Sequence, residues 1–451
     1  MKPLSNSPSR DEVLAYLFEA SDYGNLGLFV GAGFSKAVLN TPGNIIALSW
    51  GELLARCAYR LDVDLKGLLQ EGASYPELAS RLCTRHSAQY KVSFSDALLK
   101  LKFAIRDLTS WYPREKQRRQ YGAYLESMSA AWIITTNYDP VIESVLTGRA
   151  LSLGPNDPFS VPKDLIPIYH LHGTRSDPRG IIIAQEDYVA LFRPAAYRQL
   201  RLAMTLKEST TLVLGYALGD VNVLTALDWS DSVFETSKPR FPKEVIQIVR
   251  KDDPRDAPYR GENQIIVMEY PELSSFFEEY AVVRKPLAEK ADRNRRHRAD
   301  LSKAFENPDK SLVSEFIDDP KFRSAVLEIL TESSVYLVRS FESFLARCIE
   351  ETWTRSIPDG AFGAYDDNLK MILDILEAFP VAVFPPSLFE LVAYALNRLA
   401  YYVGGAHGKS FAAYATWQAR KGKLEGGTVT ELCQIAQIHG YANLLELLDS
   451  I

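Results

Sequence analysis

Glycines and small polar residues follow an apolar segment near the start of the chain. Residues 26–30 lead directly into Gly31-Ala32-Gly33-Phe34-Ser35. Glycine permits a tight turn and close approach of the backbone to a phosphate, and the N–H groups at a helix start attract anions. Ser35 can bind a phosphate or cap the helix. Taken alone, the motif leaves nucleotide binding and an ordinary strand–turn–helix connection equally open.

Three further apolar segments also end in polar residues. Residues 132–135 lead into Thr136-Asn137-Tyr138-Asp139. Residues 166–171 are followed directly by His172, and residues 212–214 lead into the sequence GYALGDVN. Open α/β sheets place their ligands beyond the carboxyl ends of the strands. His172 is a candidate general base because the ordinary pKa of histidine lies near neutrality. His170 is predicted to be a packing residue or to support the site indirectly.

The elements that position these residues alternate between strand and helix patterns over the first 280 residues. Segments of four to six residues rich in Ile and Val are typical of strands covered on both faces, and helical patterns such as 49–61 and 187–208 lie between several of them. The predicted strands are 26–30, 132–135, 166–171, 181–184, 212–215, 245–249 and 265–268. This alternation predicts an α/β fold with a Rossmann-like, doubly wound parallel sheet. Residues 62–130 lack a strand pattern and predict a helical insertion.

The composition changes after residue 280. Residues 284–303 contain eight Lys or Arg and three acidic residues. A solvated helical face or linker is favoured over a nucleic-acid contact for such a segment. Helical patterns continue to the last residue, so we predict two domains, residues 1–283 and an all-α domain at 284–451.

Overall composition excludes several classes of protein. The chain has 451 residues and a formal net charge of −6, from 51 basic and 57 acidic residues, which argues against a nucleic-acid coat protein. Its four cysteines form no C-x-x-C pair, so no four-cysteine zinc site is expected. The N-terminus does not resemble a secretion signal, and no run of about 18 apolar residues is present. We therefore expect a soluble cytoplasmic protein with no membrane association.

Four motifs together resemble a known family. GAGFS at 31–35, TTNYD at 135–139, LHG at 171–173 and GYALGD at 215–220 are similar, in order and spacing, to the SIR2-like (sirtuin-related) domains of bacterial anti-phage NAD hydrolases. The Glu-Asp-Tyr sequence at 186–188 is typical of that branch, and the resemblance covers about residues 20–275. Protein-deacetylating sirtuins carry two zinc-binding cysteine pairs and a Gly-Ile-Pro-x-Phe-Arg loop after the first motif. This chain lacks the pairs and reads Lys-Ala-Val-Leu-Asn at 36–40, so we expect neither deacetylation nor zinc.

The resemblance implies an NAD glycohydrolase that releases nicotinamide and ADP-ribose and depletes NAD in anti-phage defence by abortive infection. His172 would take a proton from the ribose hydroxyl or water, and Asn137 would orient the water and the nicotinamide ribose. Asp139, with the Tyr138 backbone, would hold the carboxamide. The remaining residues implied to bind NAD, around its pyrophosphate and along the nucleotide, are Gly31, Ala32, Gly33, Ser35, Thr136, Gly215 and Asp220.

Other functions remain open from the sequence. The same fold could serve as a subunit that senses NAD or an ADP-ribose derivative, as an ADP-ribosyltransferase, or as a structural subunit that recruits an ATPase or nuclease. The resemblance also implies control by infection, through a large homo-oligomer and, in some systems, a HerA-like hexameric ATPase. We expect residues 284–451 to mediate assembly, although nothing in their sequence identifies the partner or the trigger.

Overall fold

The chain divides into two compact units, Met1–Ala288 and Glu289–Ile451. The computed structural model describes residues 4–66, 68, 74–155, 157–191, 197–216, 243–261, 264–331, 336–357, 362–381 and 384–450. Each unit has its own apolar core, and the first one carries all the residues predicted to do chemistry.

One sheet organises the first unit. Its strands, within the described residues, are β1 Leu26–Val30, β2 Trp132–Thr135, β3 Ala150–Leu153, β4 Ile166–His170, β5 Thr210–Leu214, β6 Val245–Arg250, β7 Tyr259–Arg260 and β8 Ile266–Tyr270. They lie in the order β3-β4-β2-β1-β5-β6-β8-β7. Each adjacent pair is parallel except β7 with β8, which is antiparallel. The predicted Rossmann-like α/β sheet is confirmed, and the carboxyl ends of β1, β2, β4 and β5 meet at one edge.

Helices connect most of these strands. They are α1 Arg10–Tyr23, α2 Ala32–Leu39, α3 Trp50–Arg60, α4 Tyr75–Tyr90, α5 Phe94–Leu108, α6 Glu115–Met128, α7 Val141–Val145, α8 Gln185–Leu191 and α9 Tyr197–Glu208. Strands β1 and β2 are neighbours in the sheet, but helices α2 to α6 lie between them in the chain. Residues on α3, α4 and α5 form an apolar cluster that also includes Tyr138 and Ile181, and this cluster places the helical insertion beside the end of the sheet.

The prediction of a strand at residues 181–184 is wrong. These residues are buried but form no ladder with a neighbouring strand. Instead, the Ile182 N–H donates to the His172 carbonyl, at 2.8 Å, and the N–H groups of Ile183 and Ala184 both donate to the Asp187 carboxylate, at 3.1 Å. The apolar pattern indicated burial correctly. However, the Asp187 carboxylate accepts the N–H groups of residues 183 and 184, which in a strand would bond to the backbone of a neighbouring strand.

The second unit is helical. One helix, α10 Leu273–Glu306, contains the boundary between the units, and residues 281–304 of it are exposed or half-buried, including the basic segment. The helices that follow are α11 Lys310–Asp318, α12 Pro320–Thr331, α13 Tyr336–Arg355, α14 Gly363–Ala378, α15 Pro386–Ala400, α16 Phe411–Arg420, α17 Gly426–His439 and α18 Ala442–Leu448. Their core includes packed rings such as Phe305 against Phe344, with centroids 4.4 Å apart. The predicted all-α C-terminal region is confirmed.

A membrane-spanning helix would need about 20 apolar residues in succession. Among the described residues, the structure contains no helix that meets the length and apolarity needed to cross a bilayer.

Candidate active site

Two turns at the end of the sheet contact each other through glycines. The Gly31 N–H donates to the Leu214 carbonyl, at 2.9 Å, and the Gly33 N–H donates to the Gly215 carbonyl, at 2.7 Å. Gly215 has φ +61°, and a Cβ there would lie 2.1 Å from the Phe34 nitrogen. Glycine is therefore required at position 215 both by the left-handed backbone and by the approach of the facing turn. The two turns form one rigid surface at the start of α2.

Three polar side chains form a buried chain beneath this surface. Ser35, on α2, donates its hydroxyl to Asp139 Oδ1, at 2.9 Å, and accepts from Asn137 Nδ2, at 3.2 Å. Asp139 Oδ1 also accepts the N–H of Val141 at the start of α7, at 3.1 Å. Ser35, Asn137 and Asp139 are each at most 6% exposed. This network fixes the Asn137 side chain between the ends of β1 and β2, which follows the predicted grouping of these residues.

The Asp139 carboxyl titrates abnormally because of its surroundings. Burial raises the pKa of Asp139 to about 6, although the hydrogen bonds from the Ser35 hydroxyl and the Val141 N–H oppose that rise. A carboxylate loses hydration when it is buried, which disfavours its charged form. Close to neutral pH, this group therefore lies near the point at which it exchanges a proton.

His170 has a structural role below the strand end. Its Nε2 lies 2.6 Å from Glu143 Oε1, on α7, and its Nδ1 lies 2.9 Å from the Asn137 carbonyl oxygen. Burial alone would lower the pKa of His170, but the hydrogen bond and the charge of Glu143 outweigh it, so the pKa of His170 is raised. Burial likewise opposes ionisation of Glu143, and the His170 contact outweighs it, so the pKa of Glu143 is lowered. The ion pair holds the backbone of Asn137 in place.

Asn137 and His172 occupy equivalent positions on neighbouring strands. Strands β2 and β4 pair in parallel with Thr135 opposite His170, and the Leu171 N–H donates to the Thr135 carbonyl, at 2.8 Å. Each candidate residue thus lies two positions beyond this pair, at the same edge of the sheet. This register brings the ends that carry a side-chain amide and an imidazole side by side.

Aromatic rings flank His172. Its ring centroid lies 5.4 Å from that of Tyr188, in an edge-to-face arrangement, and 6.0 Å from that of Trp50. The side chain is 0% exposed. In this conformation the imidazole does not reach solvent.

A cavity of about 580 Å³ opens beside the glycine turns. Its walls come from α2 and the residues that follow it, from the start of α10, from the ends of β6 and β8, and from α6. The lining residues are Gly33, Lys36, Ala37, Asn40, Thr41, Pro42, Tyr121, Gly215, Ile248, Val249, Arg250, Tyr270, Glu272 and Leu273. Among the described lining residues, Lys36 and Arg250 are cations and Glu272 is the one acidic residue, which suits an anionic ligand. Asn137 and His172 are not among these described lining residues, so they lie outside the walls of this cavity.

The remaining predicted residues have the following positions. Thr136 and Tyr138 are buried beyond β2, and the Tyr138 hydroxyl donates to the Ile182 carbonyl, at 2.7 Å. Gly31 precedes α2 and Ala32 begins it. Asp220 lies outside the described residues. Among the residues that the structure describes, no group of three or more His, Cys, Asp or Glu side chains could hold a metal ion.

The sequence reasoning missed several supporting residues. Glu143 lies six residues after Asn137 and contacts His170. The signal in the sequence was a carboxylate near the start of the helix that follows the TTNYD motif. Trp50 begins α3 and Lys102 lies on α5 in the helical insertion, and only the fold brings them near the sheet end. No local pattern identifies them.

Comparison with known proteins locates one domain. Residues 131–268 match the family model described as a SIR2-like domain. This range contains β2 to β7 and the first three residues of β8, and it includes Asn137, His172 and Gly215. The glycine turn at 31–35 precedes the matched range, but β1, which carries it, pairs with both β2 and β5 inside that range. No curated protein matches the chain.

Proposed function

Because the chain carries a SIR2-like domain, we propose that it hydrolyses NAD, cleaving the bond between nicotinamide and ribose to give nicotinamide and ADP-ribose. A sirtuin-related domain of this kind supports an NAD-dependent function. We further propose that the reaction depletes NAD in anti-phage defence, and that a large homo-oligomer, with or without a HerA-like ATPase, controls it.

The observation that carries the proposal is the register of β2 and β4. With Thr135 opposite His170, the ends of these strands present Asn137 and His172 to the same region. Nicotinamide leaves NAD as a neutral molecule, so the reaction needs no protonated leaving group and no acid–base pair of carboxylates. It needs a held ribose and a positioned water. The Ser35–Asn137–Asp139 network supplies a fixed amide, and His172 supplies a base.

We place the rest of NAD in the neighbouring cavity. Its pyrophosphate would lie by the glycine turns, near Lys36 and Arg250, and its adenosine would extend toward the ends of β6 and β8. A cavity of about 580 Å³ is large enough for this half of the molecule. The nicotinamide ribose would then extend from the cavity to the ends of β2 and β4.

A second function is favoured by one specific observation. His172 is fully buried behind Trp50 and Tyr188. A subunit that only senses NAD or an ADP-ribose derivative needs no exposed base, and this conformation suits such a subunit. The hydrolase requires the His172 imidazole to become accessible to the reacting water or ribose hydroxyl when NAD binds.

Incubation of the purified protein with NAD labelled in the adenosine half separates these functions. The proposal expects free nicotinamide and ADP-ribose in equal amounts, resolved by chromatography. Tight binding by calorimetry without any product would establish the sensor. Label attached to protein or nucleic acid would establish an ADP-ribosyltransferase.

A further inference from the structure

A buried ion pair links the helical insertion to the segment that follows His172. Lys102, on α5, places its Nζ 2.6 Å from Asp187 Oδ1, on α8. The two side chains are 9% and 15% exposed, so water screens their attraction little. Desolvation of two charges is costly, and a pair like this one persists where each charge also has good hydrogen-bond partners.

Asp187 has those partners in the backbone of the segment beside His172. Its second oxygen, Oδ2, accepts the N–H groups of Ile183 and Ala184, each at 3.1 Å. The residue immediately before them, Ile182, donates its N–H to the His172 carbonyl, at 2.8 Å. The cation on α5 is thus connected to His172 through one carboxylate and one short stretch of backbone.

The neighbours of Asp187 act on the same segment. Tyr188 packs edge-on against the His172 ring, with centroids 5.4 Å apart. Glu186 accepts the Ser80 hydroxyl, at 2.6 Å, and Ser80 in turn accepts the Gln185 N–H, at 2.9 Å. Ser80 lies on α4, so two helices of the insertion hold the start of α8. The Glu-Asp-Tyr sequence at 186–188 therefore has a physical role, which is to fix the support of His172.

We infer that Lys102 is a positioning residue for His172, acting through Asp187 and residues 182–184. The inference rests on the proposed function, in which His172 is the base. Lys102 does not touch substrate in this account. Instead it holds the His172 imidazole in position. The reaction depends on that position because a displaced base cannot reach the proton that it removes.

Replacement of Lys102 by Met tests the inference. Met keeps most of the side-chain volume but leaves the Asp187 carboxylate buried without its cation. We expect kcat for NAD hydrolysis to fall by about tenfold or more with KM within about twofold, because substrate binding is unaffected while the base is misplaced. The amides of residues 182–184 should exchange with deuterium at least about tenfold faster. Lys102→Arg, which retains a cation, should keep most of kcat.

The matched control is Lys100→Met, on the same helix two residues earlier. Lys100 is exposed, and its Nζ lies 3.5 Å from His86 Nε2, away from the contact between Lys102 and Asp187. We expect this variant to match the wild type in kcat and in the rate at which the amides of residues 182–184 exchange with deuterium. If Lys102→Met does not fold, Asp187→Asn replaces it, since Asn can still accept the backbone N–H groups but cannot pair with the cation.

The outcomes separate this inference from the proposed function. Wild-type kcat and unchanged exchange in both Lys102→Met and Asp187→Asn would overturn it, as would an effect on KM alone. A wild-type protein that binds but never hydrolyses NAD would refute the hydrolase. In that case the deuterium exchange of the amides of residues 182–184, compared between Lys102→Met and the wild type, would decide by itself whether Lys102 holds this segment in place.

Discussion

At the scale of single residues, Asp139 is a carboxyl group whose ionisation the fold opposes. Its carboxyl is buried at the end of β2 and accepts hydrogen bonds from Ser35 and from Val141. These two bonds do not fully replace the lost hydration, and burial raises its pKa to about 6. The folded protein thus binds a proton at Asp139 at pH values where the unfolded chain has released it.

This difference predicts a pH-dependent contribution to stability. The ordinary pKa is 3.8 and the pKa in the folded protein is about 6, so Asp139 stabilises the folded state below the first value and loses that contribution as pH rises through the second. Asp139→Asn removes the effect. We expect the variant to gain about 2 kcal/mol relative to the wild type between about pH 4 and about pH 7.

Urea unfolding of both proteins at several pH values measures this gain. A difference between the two free energies of unfolding that does not change with pH would show that the carboxylate is not destabilised by burial. The comparison removes the titration of other groups, because both proteins share them.

Residue-scale prediction from the sequence succeeded where a motif ends a strand. The polar residues after β2 and β4 lie together because parallel strands share a carboxyl edge. It failed for partners that come from distant parts of the chain. Glu143 contacts His170 across 27 residues, and Lys102 contacts Asp187 across 85. No periodicity encodes such contacts, because they depend on the packing of whole helices.

At the scale of elements, the glycine turns are the rigid part of the site. The family resemblance implied a pyrophosphate cradle for Gly31 and Gly33 and a place along the nucleotide for Gly215, and the structure adds a second reason for glycine, which is the contact between the two turns. Strand prediction followed the Ile- and Val-rich segments closely, but it missed β7, which has two residues, and the half-exposed edge strand β3. Neither is apolar enough to give a pattern.

Substitution at Gly215 tests the contact between the turns. An alanine Cβ would meet the Phe34 nitrogen at 2.1 Å and would also occupy φ +61°. Gly24 is the matched control, because it has φ +86° but open space around a Cβ. We expect Gly24→Ala to cost about 1 kcal/mol of stability and Gly215→Ala about 3 kcal/mol or more, with loss of NAD binding.

Denaturation by urea gives both stabilities, and calorimetry gives NAD binding. Equal costs for Gly215→Ala and Gly24→Ala would mean that the turns can separate freely. The conformational penalty is common to the two positions, so any excess at Gly215 reports the clash.

At the scale of the whole molecule, the second unit exposes large apolar side chains. Phe411 is 70% exposed and Ile438 is 78% exposed. Phe411 and Tyr414, on the first turns of α16, have ring centroids 6.4 Å apart, so they form a local aromatic patch. Single exposed apolar side chains are common on protein surfaces, whereas apolar residues that lie together, as Phe411 and Tyr414 do, can mark an interaction surface. They support the proposal that this unit mediates assembly.

A charged residue in this patch should weaken assembly. Phe411→Asp places a carboxylate where a subunit contact would exclude water, so we expect a smaller species by sedimentation velocity, with helix content unchanged. Tyr23→Asp, at a residue 63% exposed in the first unit, is the control. A wild-type protein that sediments as a monomer at all concentrations would contradict the assembly proposal.

The release of nicotinamide by Asn137→Ala and His172→Ala, measured beside the wild type and the exposed-residue control His297→Ala, tests the central claim most directly. We expect the wild type and His297→Ala, at an exposed residue, to hydrolyse NAD at equal rates, whereas each of the two site variants loses turnover by at least about a hundredfold and still unfolds in one cooperative transition. Because both site residues are buried, each of these variants should unfold at a lower midpoint than the wild type. Full turnover in either site variant would contradict the placement of an amide and an imidazole at the same reacting carbon.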